Sequence, residues 1–424
     1  MGANWMEATD RVRGCGHTNH RPSRPVSAVR PLRFVVTAVC LAAYAALTPA
    51  PARASALLAP AVGAADSATM GTRIADPQTP SAALFENPAG LTGFDTFTHG
   101  GGLGIGYGWA RIEASAPAGY NEASNVSSLV PDFGLSIPYR ERWRFALGLY
   151  GTTGSKFDFD GAPALGVPSF FSETSVVAVP LGVAYRLNDQ VSIGVEVQPM
   201  FGQLRTHFPA GGLDFRYKIN GPGVQGMLGV NFRLTEQWAF GLSVRTPGMI
   251  WMGGSMPVPG VARQRVHVDL EMPTQIFLGA TWHCLQRVTL SGSVRFTDSS
   301  SLGDSTIEYE LTPQANSGFL PYAKDEWKFA LAAEYALQEE LLLRLGAGWA
   351  SHIVGSRGVS PLVFDGDDAK ISIGVGRHFG RWMVDLMAGY ALPAERHISP
   401  NAALVLPGAY SMQGAIFMLG LTYR

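Results

Sequence analysis

The feature that most constrains this chain is an alternation of apolar and polar residues that recurs in segments of about ten residues. From residue 341 onwards, Leu343 and Leu345 fall on one face of an extended chain, and Arg344 and Gly346 fall on the other. Comparable segments begin at residues 238, 288 and 382. A period of two predicts β-strands, and about 9–11 residues are enough for a tilted strand to cross a bilayer.

The connections between these segments are of two kinds that alternate strictly. Short polar turns are predicted at 140–142, 188–190, 235–237, 285–286, 338–340 and around Gly380. Longer connections are predicted at 116–127, 157–171, 208–220, 251–263, 298–325, 353–368 and 393–411. Six short and seven long connections predict an all-β, transmembrane antiparallel β-barrel of about 14 strands, with short periplasmic turns and long external loops. A soluble sandwich would also alternate, but it would not sort its connections in this way.

Aromatic residues cluster beside the short turns. A lipid-facing barrel carries such a girdle at the membrane interface, whereas a sandwich would spread aromatic residues through its core. The residues concerned are Tyr139, Trp143, Tyr185, Phe232, Trp238, Trp282, Tyr335, Phe379, Trp382 and Tyr423.

The composition and the N-terminus indicate export to an outer membrane. Charged residues make up 15% of the chain, against roughly 25% in ordinary soluble domains. Residues 1–56 are interpreted as an extension and a secretory signal peptide, with an arginine-containing stretch, an apolar run at 34–47 and small residues at 54–56. The remainder has 25 basic and 31 acidic residues and no basic run, so no nucleic-acid partner is expected.

The segment 57–96 differs from the rest because it does not alternate. It is rich in small and turn-forming residues, including Asp76, Pro77 and Pro80. Fourteen strands enclose a lumen too wide for their own side chains to fill, since eight strands already suffice for that. We therefore expect residues 57–96 to form a plug, the hatch, inside a barrel made of residues 97–424.

Four stretches resemble the long-chain fatty acid transporter (FadL-type) family, which includes aromatic-hydrocarbon uptake proteins. They are residues 83–91, 226–245, 272–298 and 325–349. The resemblance implies capture of a hydrophobic ligand at the external loops, transfer to an inner pocket, and release after a hatch movement. The hatch motif maps to Asn87, Pro88, Ala89 and Gly90.

The resemblance also implies a gap in the barrel wall at a kinked third strand. Gly151 and Gly154 lie in that strand, where glycine makes a kink inexpensive. The C-terminus departs from the family pattern, because Tyr423 is followed by Arg424 instead of ending the chain.

Several predicted external loops are unexpectedly apolar. Exposed apolar clusters usually mark binding surfaces, although such loops can also pack on one another as a lid. A hydrophobic ligand gains binding free energy mainly from burying apolar area, at about 0.8 kcal/mol per CH₂. It depends less on hydrogen bonds. The predicted capture residues are Phe170, Phe171, Met249, Trp251, Met252, Phe319, Leu320 and Phe364.

Charged residues on the predicted lumen face have two interpretations. Arg245, Arg295 and Arg344 could each meet a ligand carboxylate bidentately, or could pair across the lumen with acidic residues. A second group, His267, Asp269 and Glu271, could hold a metal, but alternating polar residues are also what a lumen face contains. The structural interpretation is preferred for this group.

These observations favour a gated outer-membrane channel for hydrophobic small molecules. We expect no cofactor and no catalytic site, and we expect membrane lipid and the barrel-assembly machinery as partners. The glycine-rich run 100–108 opens no helix, so a nucleotide-binding loop is rejected. A membrane-embedded hydrolase lacks a convincing Ser–His or Asp–His arrangement. A general porin or a purely structural barrel remains the alternative.

Overall fold

The computed structural model describes residues 61–210, 213–258, 261–401 and 406–424, so the predicted leader 1–56 lies outside the described residues. Fourteen antiparallel strands form one closed barrel, in which β1 pairs with β14 from His99 opposite Tyr423 to Ala114 opposite Gly408. The strands are β1 (Thr98–Ala114), β2 (Asn121–Tyr139), β3 (Trp143–Phe159), β4 (Phe170–Ala178 and Leu181–Arg186), β5 (Val191–Ala210), β6 (Leu213–Arg233), β7 (Trp238–Arg245 and Gly248–Val258), β8 (Val261–Met272 and Gln275–Leu285), β9 (Val288–Thr297), β10 (Glu326–Gln338), β11 (Leu341–Ala350), β12 (Asp368–Phe379), β13 (Trp382–Ile398) and β14 (Gly408–Tyr423). The predicted strand number and closure are confirmed.

Three strands are interrupted at a proline. Pro180 divides β4, Pro247 divides β7 and Pro273 divides β8. Proline has no backbone N–H and therefore cannot donate to a sheet ladder, so the pairing stops for one or two residues and then resumes.

All six predicted short turns lie between consecutive strands, but two of the predicted long loops are wrong. Residues 208–220 and 251–263 are mostly strand, because β5 and β6 continue to Ala210 and Leu213, and β7 and β8 continue to Val258 and Val261. Within the external connections, the structure has the 3₁₀ helices Pro163–Leu165, Ser299–Gly303 and Pro313–Ala315 and the short strands Thr306–Tyr309 and Ser317–Gly318.

The N-terminal segment forms a small helical plug inside the barrel. It contains helices α1 (Ala64–Ala68) and α2 (Pro80–Glu86) and a 3₁₀ helix, Pro88–Gly93. The side chain of Thr79 accepts a hydrogen bond from the backbone N–H of Ala82 and so caps the start of α2. In the described part of the chain, no helix is long and apolar enough to cross a membrane.

Inward-facing glycines let the plug lie against the wall. A Cβ atom on Gly194 would overlap the backbone of Pro88 and Ala89, and one on Gly229 would overlap the Asn87 side chain. The absence of a side chain at these two positions of β5 and β6 allows the close backbone approach.

In the half of the barrel next to the short turns, apolar side chains point outward. Leu345 is 58% exposed and Leu386 is 57% exposed, whereas Arg344 and Asp385 are each 3% exposed. We call this part the membrane half. A soluble sandwich, which would bury these leucines, is therefore excluded.

In the half beyond it, which we call the extracellular half, the phase of the alternation is reversed. On β8 the apolar Val266, Val268 and Leu270 are buried inside, whereas His267 and Asp269 are exposed outside. The prediction that His267, Asp269 and Glu271 face the lumen is therefore wrong, because the outer surface of this half meets water instead of lipid.

Candidate functional site

The reversed polarity places a continuous apolar cluster inside the extracellular half, which we call the apolar chamber. Its buried side chains come from many strands and from the external connections, and the cluster continues downward into Leu84, Phe85 and Leu91 of the plug. Members of the chamber include Phe157, Phe159, Phe170, Ile219, Ile250, Met252, Met256, Val268, Leu320, Phe364 and Tyr410.

The external connections cover the top of the chamber. In the connection between β11 and β12, the ring of Phe364 stacks on Phe157 of β3 at 4.8 Å between centroids. The same ring meets Tyr410 of β14 edge-on at 5.0 Å. Val354 and Val359 of this connection are also buried, so it forms part of a lid.

The structure brings half of the predicted capture residues together in the chamber. Phe170, Met252, Leu320 and Phe364 are buried in it, and Phe319 packs against it partly buried. Met249 is only partly buried, and its neighbours on β7 alternate between the two faces of the wall.

Two of the predicted capture residues point away from the chamber. Trp251 is 50% exposed on the outer surface, and Phe171 is partly exposed, with the Lys156 ammonium and the Arg205 guanidinium over its ring. Met249, Trp251 and Met252 belong to strand β7 and not to a loop, because β7 extends beyond the membrane half.

The plug forms the floor beneath the chamber. Its Phe85 ring meets Tyr150 of β3 edge-on, with 5.3 Å between the centroids. The Tyr150 hydroxyl donates a hydrogen bond to the carbonyl oxygen of Leu84 at 3.2 Å. Helix α2 is therefore held against the barrel wall on the side of β3.

The wall between β2 and β3 is paired only in its lower part. Pairing runs from Tyr139 opposite Trp143 to Asp132 opposite Tyr150 and ends there. Beyond this point β2 pairs with β1, and β3 pairs with β4. A bulge between Gly151 and Thr153 marks the place where β3 turns away. The predicted kink position, at Gly151 and Gly154, coincides with this separation.

The last β2–β3 pair contacts the plug from both strands. The Ser81 hydroxyl donates to the Asp132 carboxylate at 2.9 Å, beside the Tyr150 contact to Leu84. No local pattern in the sequence predicts the roles of Ser81, Asp132 and Tyr150. The plug therefore contacts the barrel wall at the level where β2 and β3 separate.

Asn87 joins the plug to β6. Its side-chain amide donates to the carbonyl oxygens of Ile74 and Val230, at 3.3 and 3.2 Å, and to the Asn231 side chain at 2.6 Å. Its side-chain oxygen accepts from the N–H of Ala89 at 3.0 Å. The amide therefore caps the 3₁₀ helix and fixes it to the barrel with one side chain.

An ion-pair network anchors the plug on the opposite wall. The Arg73 guanidinium pairs with Asp76 within the plug and lies 3.4 Å from Glu334 of β10. Glu334 and Asp385 also pair with Arg344, at 2.7 and 2.6 Å. Arg344, one of the three predicted carboxylate partners, therefore already binds two carboxylates of the barrel.

The other two predicted carboxylate partners lie beside the plug. Arg245 donates to the Phe85 carbonyl and, at 2.8 Å, to Gln275. Arg295 lies over the Phe277 ring at 4.3 Å and over the Phe85 ring at 5.5 Å. Both guanidinium groups are buried next to the floor of the chamber, and their role toward a ligand stays a prediction.

The described residues contain no group of three or more His, Cys, Asp or Glu side chains that could hold a metal ion. The arrangement is instead a lidded apolar chamber, a plug below it and a local separation in the wall beside the plug. Such features define the class of a transmembrane β-barrel closed by an internal plug.

Comparison with known proteins identifies the family. Residues 45–424 match the family described as outer membrane protein transport protein (OMPP1/FadL/TodX). The chain therefore belongs to this family of outer-membrane transport proteins, and the resemblance noted in the sequence is confirmed. None of the curated protein sequences compared with the chain matches it.

Solved structures share the fold at low sequence identity. A Pseudomonas aeruginosa FadL homologue has a TM-score of 0.73 at 16% identity, covering 87% of this chain and 99% of its own. The P. putida toluene transporter TodX has a TM-score of 0.67 at 15% identity, with coverages of 86% and 99%. The Ralstonia pickettii toluene transporter TbuX has a TM-score of 0.64 at 17% identity, with coverages of 86% and 98%.

Proposed function

We propose that this protein carries hydrophobic small molecules, such as long-chain fatty acids or aromatic hydrocarbons, across the outer membrane without catalysing a reaction. The observation that carries the proposal is the apolar chamber, an apolar interior enclosed by strands whose outer surface is polar. Family membership and the toluene transporters among the similar structures support the same substrate class. In this proposal residues 1–56 direct export, and the barrel-assembly machinery inserts residues 97–424.

Capture takes place at the lid and the upper chamber. Phe170, Leu320 and Phe364 reach the chamber from the external connections or from strand ends next to them, so a ligand meets them first. Removing apolar ligand surface from water supplies the driving force, at about 25 cal/mol per Å² of area. Met252 and Met256 of β7 adapt to differently shaped ligands because their side chains are flexible.

Release takes place where β2 and β3 separate. Because Asp132 and Tyr150 end the β2–β3 pairing and also hold helix α2, a shift of the plug changes the contacts at the edge of this separation. The ligand then leaves the chamber past the plug through the unpaired part of the wall. This route requires no charged constriction.

A general porin fits the described lumen less well. Porins conduct through an open aqueous channel, whereas here Leu84, Asn87 and Ala89 of the plug are completely buried in the barrel interior. A purely structural barrel gives no reason for an apolar interior above the membrane, which leaves the chamber without a role.

Uptake into proteoliposomes tests the proposal. We expect the reconstituted protein to accelerate entry of a labelled fatty acid or of toluene, and to leave entry of a labelled sugar at the rate of empty liposomes. Equal acceleration of both solutes would identify a porin, and no acceleration of either would leave a structural barrel.

Two adjacent residues of β7 provide a matched pair for the same assay. Met252 is 2% exposed inside the chamber, whereas Trp251 is 50% exposed outside. We expect Met252→Gln to reduce hydrophobic uptake about tenfold, because a buried unsatisfied amide costs about 1–3 kcal/mol. We expect Trp251→Gln to retain most of the uptake. Equal loss in both folded variants would contradict transfer through the chamber.

A further inference from the structure

Basic side chains line one side of the outer surface of the extracellular half. Strand register places Lys156, Glu173, Arg205 and Lys218 in one row across β3 to β6, because each is the pairing partner of the next. The row continues through Ser255 of β7 to Arg265 of β8. We call Lys156, Arg205, Lys218, Arg263 and Arg265 the basic face.

The basic face lies just beyond the hydrocarbon layer. Lys156 is 13 residues along β3 from Trp143, and Lys218 is 14 residues along β6 from Phe232, both aromatic residues of the lower girdle. A tilted strand crosses the hydrocarbon in about 9–11 residues. Phe201, outward-facing and 43% exposed, lies four residues below Arg205 on β5. Lys156 and Lys218 are therefore at the level of lipid headgroups, above an aromatic residue at the level of the acyl chains. Arg265, which is 17 residues along β8 from Trp282, lies further out.

Most of these cations are available to an external anion. Lys218, Arg263 and Arg265 are exposed, and no described carboxylate forms an ion pair with any of them. The Arg263 guanidinium donates to the Ser255 hydroxyl at 2.9 Å, between Lys218 and Arg265 in the row. Within the row, the Glu173 carboxylate pairs with Arg205 at 2.8 Å. Glu310, whose backbone N–H donates to the Arg265 carbonyl, is exposed beside the end of the row.

The opposite side of the barrel lacks this charge. There, Arg111 of β1 and Glu395 of β13 are both pairing partners of Ser411 on β14. Glu113 is also exposed on β1, next to this row. The row through Ser411 therefore holds one cation and one carboxylate, whereas the row through Ser255 holds four cations and one carboxylate.

The geometry points to a binding site on the basic face for a phosphorylated glycolipid of the outer leaflet, the lipopolysaccharide class. Its phosphates would contact Lys218, Arg263 and Arg265, since guanidinium and ammonium groups bind phosphate by charge-assisted hydrogen bonds. Its acyl chains would lie against Phe201 and the outward apolar residues below it. The site is on the outer wall and is independent of the apolar chamber.

Native mass spectrometry of the full chain in detergent tests this site, with purified bis-phosphorylated lipid A as the probe and dephosphorylated lipid A as its comparison. We expect the wild type to retain the phosphorylated lipid preferentially. The variant Lys218→Gln/Arg265→Gln should reduce the retained fraction about tenfold or more, because each basic residue near an anionic lipid surface contributes about 1 kcal/mol. The single variant Lys218→Gln should give an intermediate value.

Arg111→Gln is the matched control, because Arg111 is an exposed outward cation on the other side of the barrel. It should retain lipid A at the wild-type level, and a heat-dependent mobility shift on a gel verifies folding of every variant. Equal retention of phosphorylated and dephosphorylated lipid would overturn the proposal. So would equal losses in Arg111→Gln and the double variant, or displacement of lipid A by an equal amount of phosphatidylglycerol.

Discussion

The membrane half and the extracellular half of this barrel are built from the same strands but have opposite polarity. On β11, Leu343 and Leu345 face outward and Arg344 faces the lumen. On the upper part of β8, His267 faces outward and Val268 faces inward. Both halves alternate with a period of two, and only the medium outside the wall differs.

The difference shows that alternation specifies a strand without specifying which face is the inside. In the membrane half, lipid surrounds the wall. The plug inside it requires polar partners such as the Glu334 carboxylate and the carbonyl oxygen of Val230. In the extracellular half, water surrounds the wall, so the apolar side chains gain by facing one another. The chamber is the result of this second arrangement.

The largest expected effect comes from placing the same charge on the outer face of each half. Leu345→Arg puts a cation in the hydrocarbon and should lower the free energy of unfolding by about 2–4 kcal/mol. Asp269→Arg, on the outer face of the extracellular half, should change it by less than about 0.5 kcal/mol. Denaturant titration in lipid vesicles, followed by tryptophan fluorescence, measures both. Similar losses would mean that lipid also surrounds the extracellular half.

A smaller effect is expected where the plug meets the polar lumen of the membrane half. Asn87→Ala removes the side-chain amide that donates to the carbonyl oxygens of Ile74 and Val230, which should weaken plug docking by about 1–3 kcal/mol. We expect a higher frequency of open events in single-channel conductance recordings. Asn125→Ala, an exposed position on β2, serves as the control. An unchanged frequency of open events in Asn87→Ala would show that other contacts are sufficient to hold the plug.

The smallest effect concerns the lid of the extracellular half. Burial raises the pKa of Asp365 from its ordinary value of 3.8 to about 7, although the N–H groups of Ile353 and Val354 donate to it. When the lid is docked, the Asp365 carboxyl therefore stays protonated up to about pH 7. When the lid is released, the same carboxyl loses its proton near pH 3.8. Raising the pH between these values progressively favours release, and the effect is complete above pH 7.

A spin label at position 357, introduced as Arg357→Cys in a Cys284→Ser background, reports this change. We expect the label to be more mobile at pH 8 than at pH 5, and Asp365→Asn to remove most of the difference. His352→Gln separates the contribution of the neighbouring His352–Asp367 pair. An undiminished pH response in Asp365→Asn would assign the effect to other groups.

The strands and short turns could be predicted from the sequence, but the apolar chamber could not. Strand number, closure and the lumen position of Arg245 follow from alternation, because lipid and lumen demand opposite side chains. The sequence predicts loops for the upper parts of β7 and β8, because apolar residues such as Met252 do not continue the outward-facing pattern of the strands below. The phase reversal depends on where the membrane ends, which local sequence does not record.

The plug contacts could be predicted only in part. The turn-forming sequence at Asn87 and Pro88 indicated a special backbone, and the structure places Asn87 at a cap and an anchor. By contrast, the pairs Ser81–Asp132 and Arg73–Glu334 join residues 51 and 261 positions apart. Such contacts depend on the closed barrel, and no local spacing rule specifies them.

A very short segment of the chain also connects the plug to the first barrel strand. Only four residues, 94–97, separate the 3₁₀ helix ending at Gly93 from β1 at Thr98, and four residues reach at most about 14 Å. Asp95 in this segment forms ion pairs with Arg144 and Arg186, at 2.6 and 2.9 Å. The C-terminal end of the plug therefore stays within about 14 Å of the start of β1, whichever contacts the rest of the plug loses.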